Sequence, residues 1–425
     1  MNPIGPESSL SRVRERAGGE GGPLPQAGEG GRRSVIKLPG RHGDLLSLDD
    51  FERAAHRHLP YSVFSYIAGC AEDGQSMRAN RAAFARHAFV PRVLVDVRRR
   101  STAADLLGRR WDAPFGIAPM GLAALSGYRS DLEMARAAAQ ANIPFVVSGA
   151  SLIRLEDVIA VNRDAWCQVY LTKDEDEMHA MLRRVQTAGY RTLVVTLDTP
   201  VGANRENNVR AGFTIPARPT LRLAWQGLTH PRWLFGTFLR TIVNHGMPHL
   251  ENTYATVRGV PMFSPTVERD LSERGHLDWR YLRMIRAAWP GHLVVKGVLD
   301  ARDAREAVDA GADGVIVSNH GGRQLDGAVP PLQVLPGIVA ACPGVPVMLD
   351  SGVRRGSDVL KAMALGARFV FVGRPFSYAA AIGGCDGVLH AADLLRSEVT
   401  RNMALLGVTS LSELDPSHLV PTPAA

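Results

Sequence analysis

Short apolar segments recur eight times along the chain, and most are separated by a helical stretch rich in Ala, Leu and Arg. Each segment has the length of one buried strand and ends in polar or glycine residues. The segments start at Phe115, Phe145, Cys167, Thr192, His292, Gly314, Val345 and Phe369. Eight strands that alternate with helices predict an α/β protein with a (β/α)8 TIM barrel, whose site lies at the carboxyl ends of the strands. A doubly wound sheet is the alternative, although it usually needs fewer repeats.

The spacing of these segments also divides the chain. Strand starts are roughly 20–30 residues apart, as in an ordinary βα repeat, but 100 residues separate Thr192 from His292. We therefore predict a long excursion after the fourth strand, an insert at about 206–275, within a barrel domain at 45–415. Residues 1–44 are rich in Gly, Pro, Glu and Arg, which predicts a disordered N-terminal extension. Residues 416–425 are predicted to form a C-terminal tail.

Composition limits the classes of function. The net charge of +7 would suit an anionic ligand or an anionic membrane. The sequence has no zinc-finger spacing and no RNP-like aromatic motif, which argues against nucleic acid. Four widely spaced cysteines predict reduced thiols in a cytoplasmic protein. No run approaches the ~18 apolar residues of a transmembrane helix, and no cluster of His, Asp and Glu has the spacing of metal ligands.

The sixth apolar segment runs into the sequence SNHGGR, residues 318–323. A strand end can present a base and a fixed cation to one small ligand. His320 can take up a proton near neutral pH, and Arg323 can bind a carboxylate through a pair of hydrogen bonds. The pattern predicts a small acid with a removable proton beside its carboxylate as the substrate. A satisfied core histidine is the ordinary expectation for an isolated His, but the strand-end position favours catalysis.

Other strand ends carry candidate residues with two interpretations each. Lys296 ends the fifth strand and would stabilise negative charge, or would extend to solvent at the rim. Asp198 ends the fourth strand and would orient His320, or would form a turn before a proline. Arg205 follows in the same loop and would make a second carboxylate contact, or would be solvated.

The loops after the seventh and eighth strands have the composition of a phosphate site. They combine glycines with Arg354 and Arg374. In barrels these two loops often bind phosphate through backbone N–H groups and a helix N-terminus. Turn glycines with solvated arginines are the alternative for either loop alone.

These motifs together resemble the FMN-dependent α-hydroxy acid dehydrogenases and oxidases. The resemblance covers about residues 45–415. It rests on SNHGGRQLDG and, in family order, on LPYSVFSYIAGCAED, RANRAAF, APMG, CQVY, TLDTP, VVKGV, DSGVRRG and VGRP. It implies a barrel with FMN at its C-terminal rim that oxidises an (S)-2-hydroxy acid to the 2-keto acid.

The resemblance also implies a role for each matching residue. His320 resembles the catalytic base, and Asp198 resembles its hydrogen-bonding partner. The residues that resemble substrate contacts are Arg323 and Arg205 at the carboxylate, together with Tyr66 and Tyr170. The residues that resemble FMN contacts are Pro119, Met120, Gly121, Ser148, Gln168, Thr196, Lys296, Ser318, Asp350, Gly352, Arg354, Gly373 and Arg374; of these, Lys296 would also assist catalysis.

Two positions depart from the glycolate oxidase pattern within the family. Ala150 stands where that pattern has a tryptophan over the substrate, and Gly121 stands where it has alanine. Both changes enlarge the pocket, so a bulky acid such as mandelate is the expected substrate, with lactate as the alternative. The insert carries HPRW and GMPHLEN, which resemble the membrane-associated mandelate dehydrogenases of the family. In the insert, arginines alternate with Trp, Phe and Leu, which predicts that the insert binds a membrane surface. The alternative is a helical hairpin that packs over the barrel or between subunits.

Three functions stay open at this point. The first is a dehydrogenase that passes electrons to a membrane quinone or another carrier. The second is a soluble oxidase that uses O2, and the third is a non-redox phosphate-binding barrel enzyme. The resemblance favours the first, as a cytoplasmic homotetramer that is peripheral on the inner face of the cytoplasmic membrane.

Overall fold

The computed structural model describes residues 45–264 and 275–422, so the predicted N-terminal extension at 1–44 lies outside the described residues. Eight parallel strands form the central sheet. They are Phe115–Ile117 (β1), Val146–Val147 (β2), Trp166–Val169 (β3), Thr192–Thr196 (β4), His292–Val298 (β5), Gly314–Val317 (β6), Val347–Leu349 (β7) and Phe369–Val372 (β8). Strand β8 pairs with β1, and a bridge from Ile117 to Phe145 brings β1 beside β2. The nearly closed sheet confirms the predicted TIM barrel and excludes the doubly wound alternative.

The strands are mostly apolar because both faces of the sheet are covered. Every residue of β1, β3, β4, β6 and β8 is buried. Phe115, Phe369 and Phe371 are among the largest fully buried side chains, and Trp166 packs on Phe371 at 5.4 Å between ring centroids. A barrel whose interior is filled and whose exterior is covered by helices needs this pattern rather than an alternating one.

One helix follows each strand on the outside of the barrel. These helices are Ser130–Ala141, Leu155–Val161, Glu175–Ala188, Trp279–Ala288, Ala301–Asp309, Pro331–Ala341, Gly356–Ala364 and Arg374–Leu406. The last is kinked at Gly384, whose φ is 55°. Before the barrel lie the helices Leu48–His58, Tyr61–Ala68 and Gln75–Ala85, and a hairpin that pairs Ala104–Leu106 with Arg109–Trp111. The short helix Ala123–Ser126 follows β1, and short 3-10 turns at Leu411–Glu413 and Pro416–His418 lie near the end of the chain.

The insert between β4 and β5 forms its own helical layer. Its helices are Glu206–Ala211, Leu221–Thr229, Pro231–Trp233, the π-helix Leu234–Leu239 and Arg240–His245. Trp233 is buried, and its indole N–H donates to the carbonyl oxygen of Leu125 at 2.9 Å. The layer is therefore fixed to the loop after β1. Within the described ranges, no helix is both long enough and apolar enough to cross a membrane.

The described end of the chain is folded onto the domain. Leu419–Pro421 pairs antiparallel with His87–Phe89, and the side chain of Leu419 is buried. Residues 416–422 of the predicted tail therefore pack as part of the domain. A strand of three residues is too short for an alternating apolar pattern to reveal it in the sequence.

We expect Leu419→Ala to lower the free energy of unfolding by about 2–3 kcal/mol, because a buried leucine side chain is lost. Val420→Ala is the matched control, because its side chain in the same strand is 45% exposed. A surface substitution of that kind changes stability by less than about 0.5 kcal/mol. Urea unfolding of the FMN-loaded proteins measures both, and equal effects of the two substitutions would contradict the packing described here.

Candidate active site

A cavity of about 480 Å³ opens at the carboxyl ends of the barrel strands. Its size lies within the range of about 300–1,000 Å³ that is usual for small-molecule sites. Parallel strands bring residues that are distant in sequence to this rim. The predicted site residues that line it are Tyr66, Pro119, Met120, Gly121, Tyr170, Arg205, Lys296, His320, Arg323, Asp350, Gly352, Arg354, Gly373 and Arg374.

Five predicted residues lie behind this lining: Asp198, Ser148, Gln168, Thr196 and Ser318. The Ser148 hydroxyl donates to Oε1 of Gln168 at 3.2 Å, and the Gly149 N–H donates to the same oxygen at 3.0 Å. Thr196 is buried at the end of β4, in register with Lys296 of β5. These residues contact other members of the site rather than the open cavity.

His320, which follows β6, and Asp198, which follows β4, form a hydrogen-bonded pair. Nδ1 of His320 lies 2.9 Å from Oδ1 of Asp198. A carboxylate accepts hydrogen bonds, so this contact places the ring proton on Nδ1 and leaves Nε2 as the basic nitrogen. The pair needs the glycine that follows Lys296, because a Cβ at Gly297 would lie 2.5 Å from Cγ of Asp198.

The protonation states of this pair suit a general base. Burial lowers the pKa of His320, and the charge of Lys296 adds to this effect while Asp198 opposes it. Burial would raise the pKa of Asp198, but the contacts with His320 and Lys296 outweigh it and hold that pKa below its ordinary value. At neutral pH the imidazole is therefore neutral and the carboxylate is ionised.

Arg323 presents a partly buried positive charge to the cavity. One of its terminal nitrogens donates to the carbonyl oxygens of Ile67 at 3.2 Å and Gly69 at 2.8 Å, and its guanidinium lies 5.1 Å from the ring centre of Tyr66. Burial, together with repulsion by Arg205 and Arg374, lowers its pKa to about 9, which still leaves it charged at neutral pH. Among the described residues, no carboxylate forms an ion pair with Arg323. The site therefore favours an anionic ligand.

Arg205 lies beside Arg323 and is held by the same loop. Its Nε donates to the carbonyl oxygen of Arg323 at 3.1 Å, and a terminal nitrogen donates to Oε1 of Gln324 at 2.9 Å. Gln324 in turn donates to the carbonyl oxygen of Asp198 at 3.1 Å. Gln324 was not predicted as a site residue, although it directly follows Arg323 in the motif at 318–327.

Lys296 supplies a second cation to the cavity, and this one is buried. Its ammonium lies 3.1 Å from Oδ2 of Asp350 and donates to Oγ of Ser318 at 3.0 Å. Burial would lower the pKa of Lys296, but Asp350 and Asp198 outweigh burial and raise it. The lysine is therefore charged, and it can stabilise negative charge in the cavity.

The far end of the cavity fits a phosphate group. Arg354 is 9% exposed, and its Nε forms a long ion pair of 3.8 Å with Oδ1 of Asp49. In the part of the chain that the structure describes, this buried Nε has no hydrogen-bond partner. Arg374 donates to the carbonyl oxygens of Ile67, Gly69 and Gly321 at 2.7–3.0 Å. The helix Arg374–Leu406 begins at the same place, so its N-terminal N–H groups lie beside these cations. A phosphate group would meet the positive charges of these two arginines at this end of the cavity.

Two further cavity residues were not predicted from the sequence as site residues. Phe213 belongs to the insert and stacks on Tyr66 with ring centroids 4.7 Å apart. Ser351 lies between Asp350 and Gly352 and has a left-handed backbone with a φ of 80°. A lone phenylalanine in an insert and a serine in a glycine-rich loop are both common, so position alone reveals their role.

The fold and the site together are those of an FMN-binding barrel oxidoreductase. The chain belongs to the FMN-dependent dehydrogenase family, which it matches over residues 55–421. Its cofactor is FMN, and membership in this family excludes the non-redox barrel enzyme considered above.

The chain is similar to known proteins over almost the whole barrel domain. The chain is 39% identical over 378 residues to (S)-mandelate dehydrogenase of Pseudomonas putida, covering 88% of this chain and 94% of that protein. It is 37% identical over 378 residues to L-lactate dehydrogenase of Pectobacterium atrosepticum, covering 87% and 96% respectively. A crystal structure of the monotopic membrane protein (S)-mandelate dehydrogenase superimposes with a TM-score of 0.82 at 39% identity, covering 89% of this chain and 100% of that chain.

We expect Arg354→Gln to weaken FMN binding by about 10- to 100-fold, because a charge-assisted hydrogen bond to the phosphate is lost. Arg355→Gln is the matched control, because this neighbouring arginine is about half exposed and pairs with Glu398 at 2.8 Å. Titration of apoprotein with FMN, followed by flavin fluorescence, measures both dissociation constants. An unchanged constant for Arg354→Gln would remove this residue from the phosphate site.

Proposed function

We propose that this protein oxidises an (S)-2-hydroxy acid to the 2-keto acid, with His320 as the base. The observation that carries the proposal is the neutral, partly buried imidazole of His320, held at 2.9 Å by Asp198 in the cavity that Arg323 also lines. A base and a carboxylate-binding cation on one loop match a substrate whose reacting carbon is next to its carboxylate.

The residues divide the chemistry between them. Arg323 and Arg205 bind the substrate carboxylate and so place the hydroxyl-bearing carbon near Nε2 of His320. His320 takes one proton from the substrate, and the ionised Asp198 stabilises the imidazolium that forms. FMN, when bound, would accept the two electrons and the second hydrogen of the oxidation. Lys296 stabilises the negative charge that develops in the cavity.

We expect His320→Gln to retain FMN and to slow its reduction by substrate by several powers of ten, on the order of what loss of a catalytic base costs. In the unmodified protein, kcat/KM is expected to fall as the pH drops through the lowered pKa of His320, because only the neutral ring accepts a proton. Anaerobic stopped-flow absorbance measures the reduction. Near-normal reduction by the Gln variant would refute the role of His320.

Two small residues, Gly121 and Ala150, form the wall of the cavity beside Tyr66. A Cβ at Gly121 would lie 3.0 Å from Cβ of Ala150 and 3.4 Å from the Tyr66 hydroxyl, so both small residues border one space. Both line the cavity. We infer that an aromatic acid such as mandelate fits better than glycolate or lactate, because its ring buries apolar surface there.

We expect kcat/KM for mandelate to exceed that for glycolate by about 10- to 100-fold, the value of burying one aromatic ring. Ala150→Trp is expected to remove this preference by filling the space, while glycolate turnover is affected less. Steady-state reduction of a soluble dye with each acid measures the ratio. A wild-type enzyme that prefers glycolate would contradict the inference.

The insert has an apolar surface that suits a membrane interface. Leu221, Trp225 and Leu228 are exposed on one face of the helix Leu221–Thr229. Phe235 and Val243 are exposed on the following helical run. Exposed arginines at 222, 232 and 240 accompany them and would meet anionic headgroups. We infer peripheral binding to the inner face of the cytoplasmic membrane, with a quinone as electron acceptor and oxygen as a poor one.

We expect the double substitution Trp225→Ser and Phe235→Ser to weaken binding to vesicles of phosphatidylcholine and phosphatidylglycerol by about 10-fold or more, since two large apolar side chains no longer insert. Leu405→Ser is the control, because Leu405 is 67% exposed at the end of the last helix, outside the insert. Dye reduction should be unchanged in both variants. Wild-type protein that does not bind these vesicles at low salt would defeat the membrane proposal.

A further inference from the structure

Two serine hydroxyls hold the backbone of the loop that carries His320. The N–H of His320 donates to Oγ of Ser318 at 3.0 Å, and the N–H of Gly321 donates to Oγ of Ser351 at 3.0 Å. Both residues of this loop have left-handed backbones, with φ values of 57° for His320 and 68° for Gly321. Such a conformation is unfavourable for histidine and persists only where the surroundings fix it.

The two serines are joined through the buried ion pair at the centre of the cavity. Lys296 donates to Oγ of Ser318 at 3.0 Å and lies 3.1 Å from Oδ2 of Asp350. The Ser351 hydroxyl donates to the other oxygen, Oδ1 of Asp350, at 2.8 Å. Together with the peptide link from His320 to Gly321, these contacts close a ring, which we call the serine ring.

Ser351 holds its place in the ring at a conformational cost. Its φ of 80° is a backbone state that glycine adopts freely and other residues adopt rarely. Glycine at this position would remove the strain but would also remove the hydroxyl that the ring requires. A strained residue whose side chain makes two well-formed hydrogen bonds beside a catalytic loop indicates a positioning role.

We propose that Ser351 is a positioning residue that places His320 for proton transfer by linking the N–H of Gly321 to the carboxylate of Asp350. This rests on the proposed function, in which His320 is the base. The hydroxyl holds the loop from one side, and Ser318 holds it from the other. Asp198 sets the orientation of the imidazole ring, whereas the serine ring sets the position of the backbone from which that ring projects.

The test compares two substitutions that separate the hydroxyl from the backbone strain. Ser351→Ala removes the hydroxyl and keeps the strain, whereas Ser351→Gly removes both. In both variants we expect saturating mandelate to reduce the bound FMN about 10- to 100-fold more slowly, because a small displacement of His320 slows proton transfer. KM should change less than about 3-fold, because Arg323 and Arg205 still bind the carboxylate. The deuterium isotope effect at carbon 2 should stay at or above that of the unmodified enzyme.

Thermal stability should depend on the backbone strain at residue 351 and not on the hydroxyl. Ser351→Gly is expected to unfold at a higher temperature than Ser351→Ala, because the strain is relieved. FMN affinity should stay within about 3-fold of the unmodified protein in both, because the ion pair of Lys296 and Asp350 remains. Ser357→Ala is the control, since Ser357 lies in the next helix and makes none of the contacts of the ring.

The possible results distinguish the role of Ser351 from the proposed function. Equal loss of reduction rate in both variants, with little change in KM or FMN affinity, supports the proposal. Recovery of the rate in Ser351→Gly would overturn it, because backbone strain and not the hydroxyl would then control His320. Wild-type rates in Ser351→Ala, or a loss that lies only in FMN affinity, would overturn it as well. Failure of the unmodified enzyme to reduce FMN with any 2-hydroxy acid would instead reject the proposed function itself.

Discussion

Closure of the parallel sheet is the constraint on which the rest of the molecule depends. When β8 pairs with β1, the carboxyl ends of all eight strands are held around one rim. Residues as distant as Gly121 and Arg374 then line the same cavity. The same closure buries the strand ends, so each charge at the rim must find a partner or a ligand. Lys296 pairs with Asp350, and Nε of Arg354 lies 3.8 Å from Oδ1 of Asp49. Arg323 faces the cavity without a carboxylate partner among the described residues.

The barrel could be predicted because its signal is repeated eight times. Each strand is covered on both faces and therefore appears in the sequence as a short apolar run. Every predicted strand is present. The proximity of His320 and Arg323 also follows from sequence, because only two residues separate them. By contrast, the contact of Asp198 with His320 depends on the backbone at Gly297, which leaves space for the carboxylate. Sequence alone left Asp198 with two interpretations, and only the three-dimensional contact distinguishes them.

Residues that act through one hydrogen bond or one stacking contact could not be predicted in this way. Gln324 joins Arg205 to the carbonyl of Asp198, and Phe213 supports the ring of Tyr66 from the insert. Their types are common in loops, and their partners are distant along the chain. The insert itself was predicted from an irregular interval. Its attachment through the indole N–H of Trp233 to the carbonyl of Leu125 is a tertiary contact that no local pattern contains.

The charge of the cavity has a consequence for how the protein matures. Arg323 lies in the cavity with Arg205 and Arg374, and their mutual repulsion raises the free energy of the folded chain before cofactor arrives. An anionic ligand that binds only the folded state shifts the folding equilibrium in proportion to the logarithm of its concentration. Bound FMN is therefore expected to stabilise the folded enzyme as well as to take part in its reaction. Scarcity of flavin is expected to raise the fraction of unfolded chain that proteases can degrade.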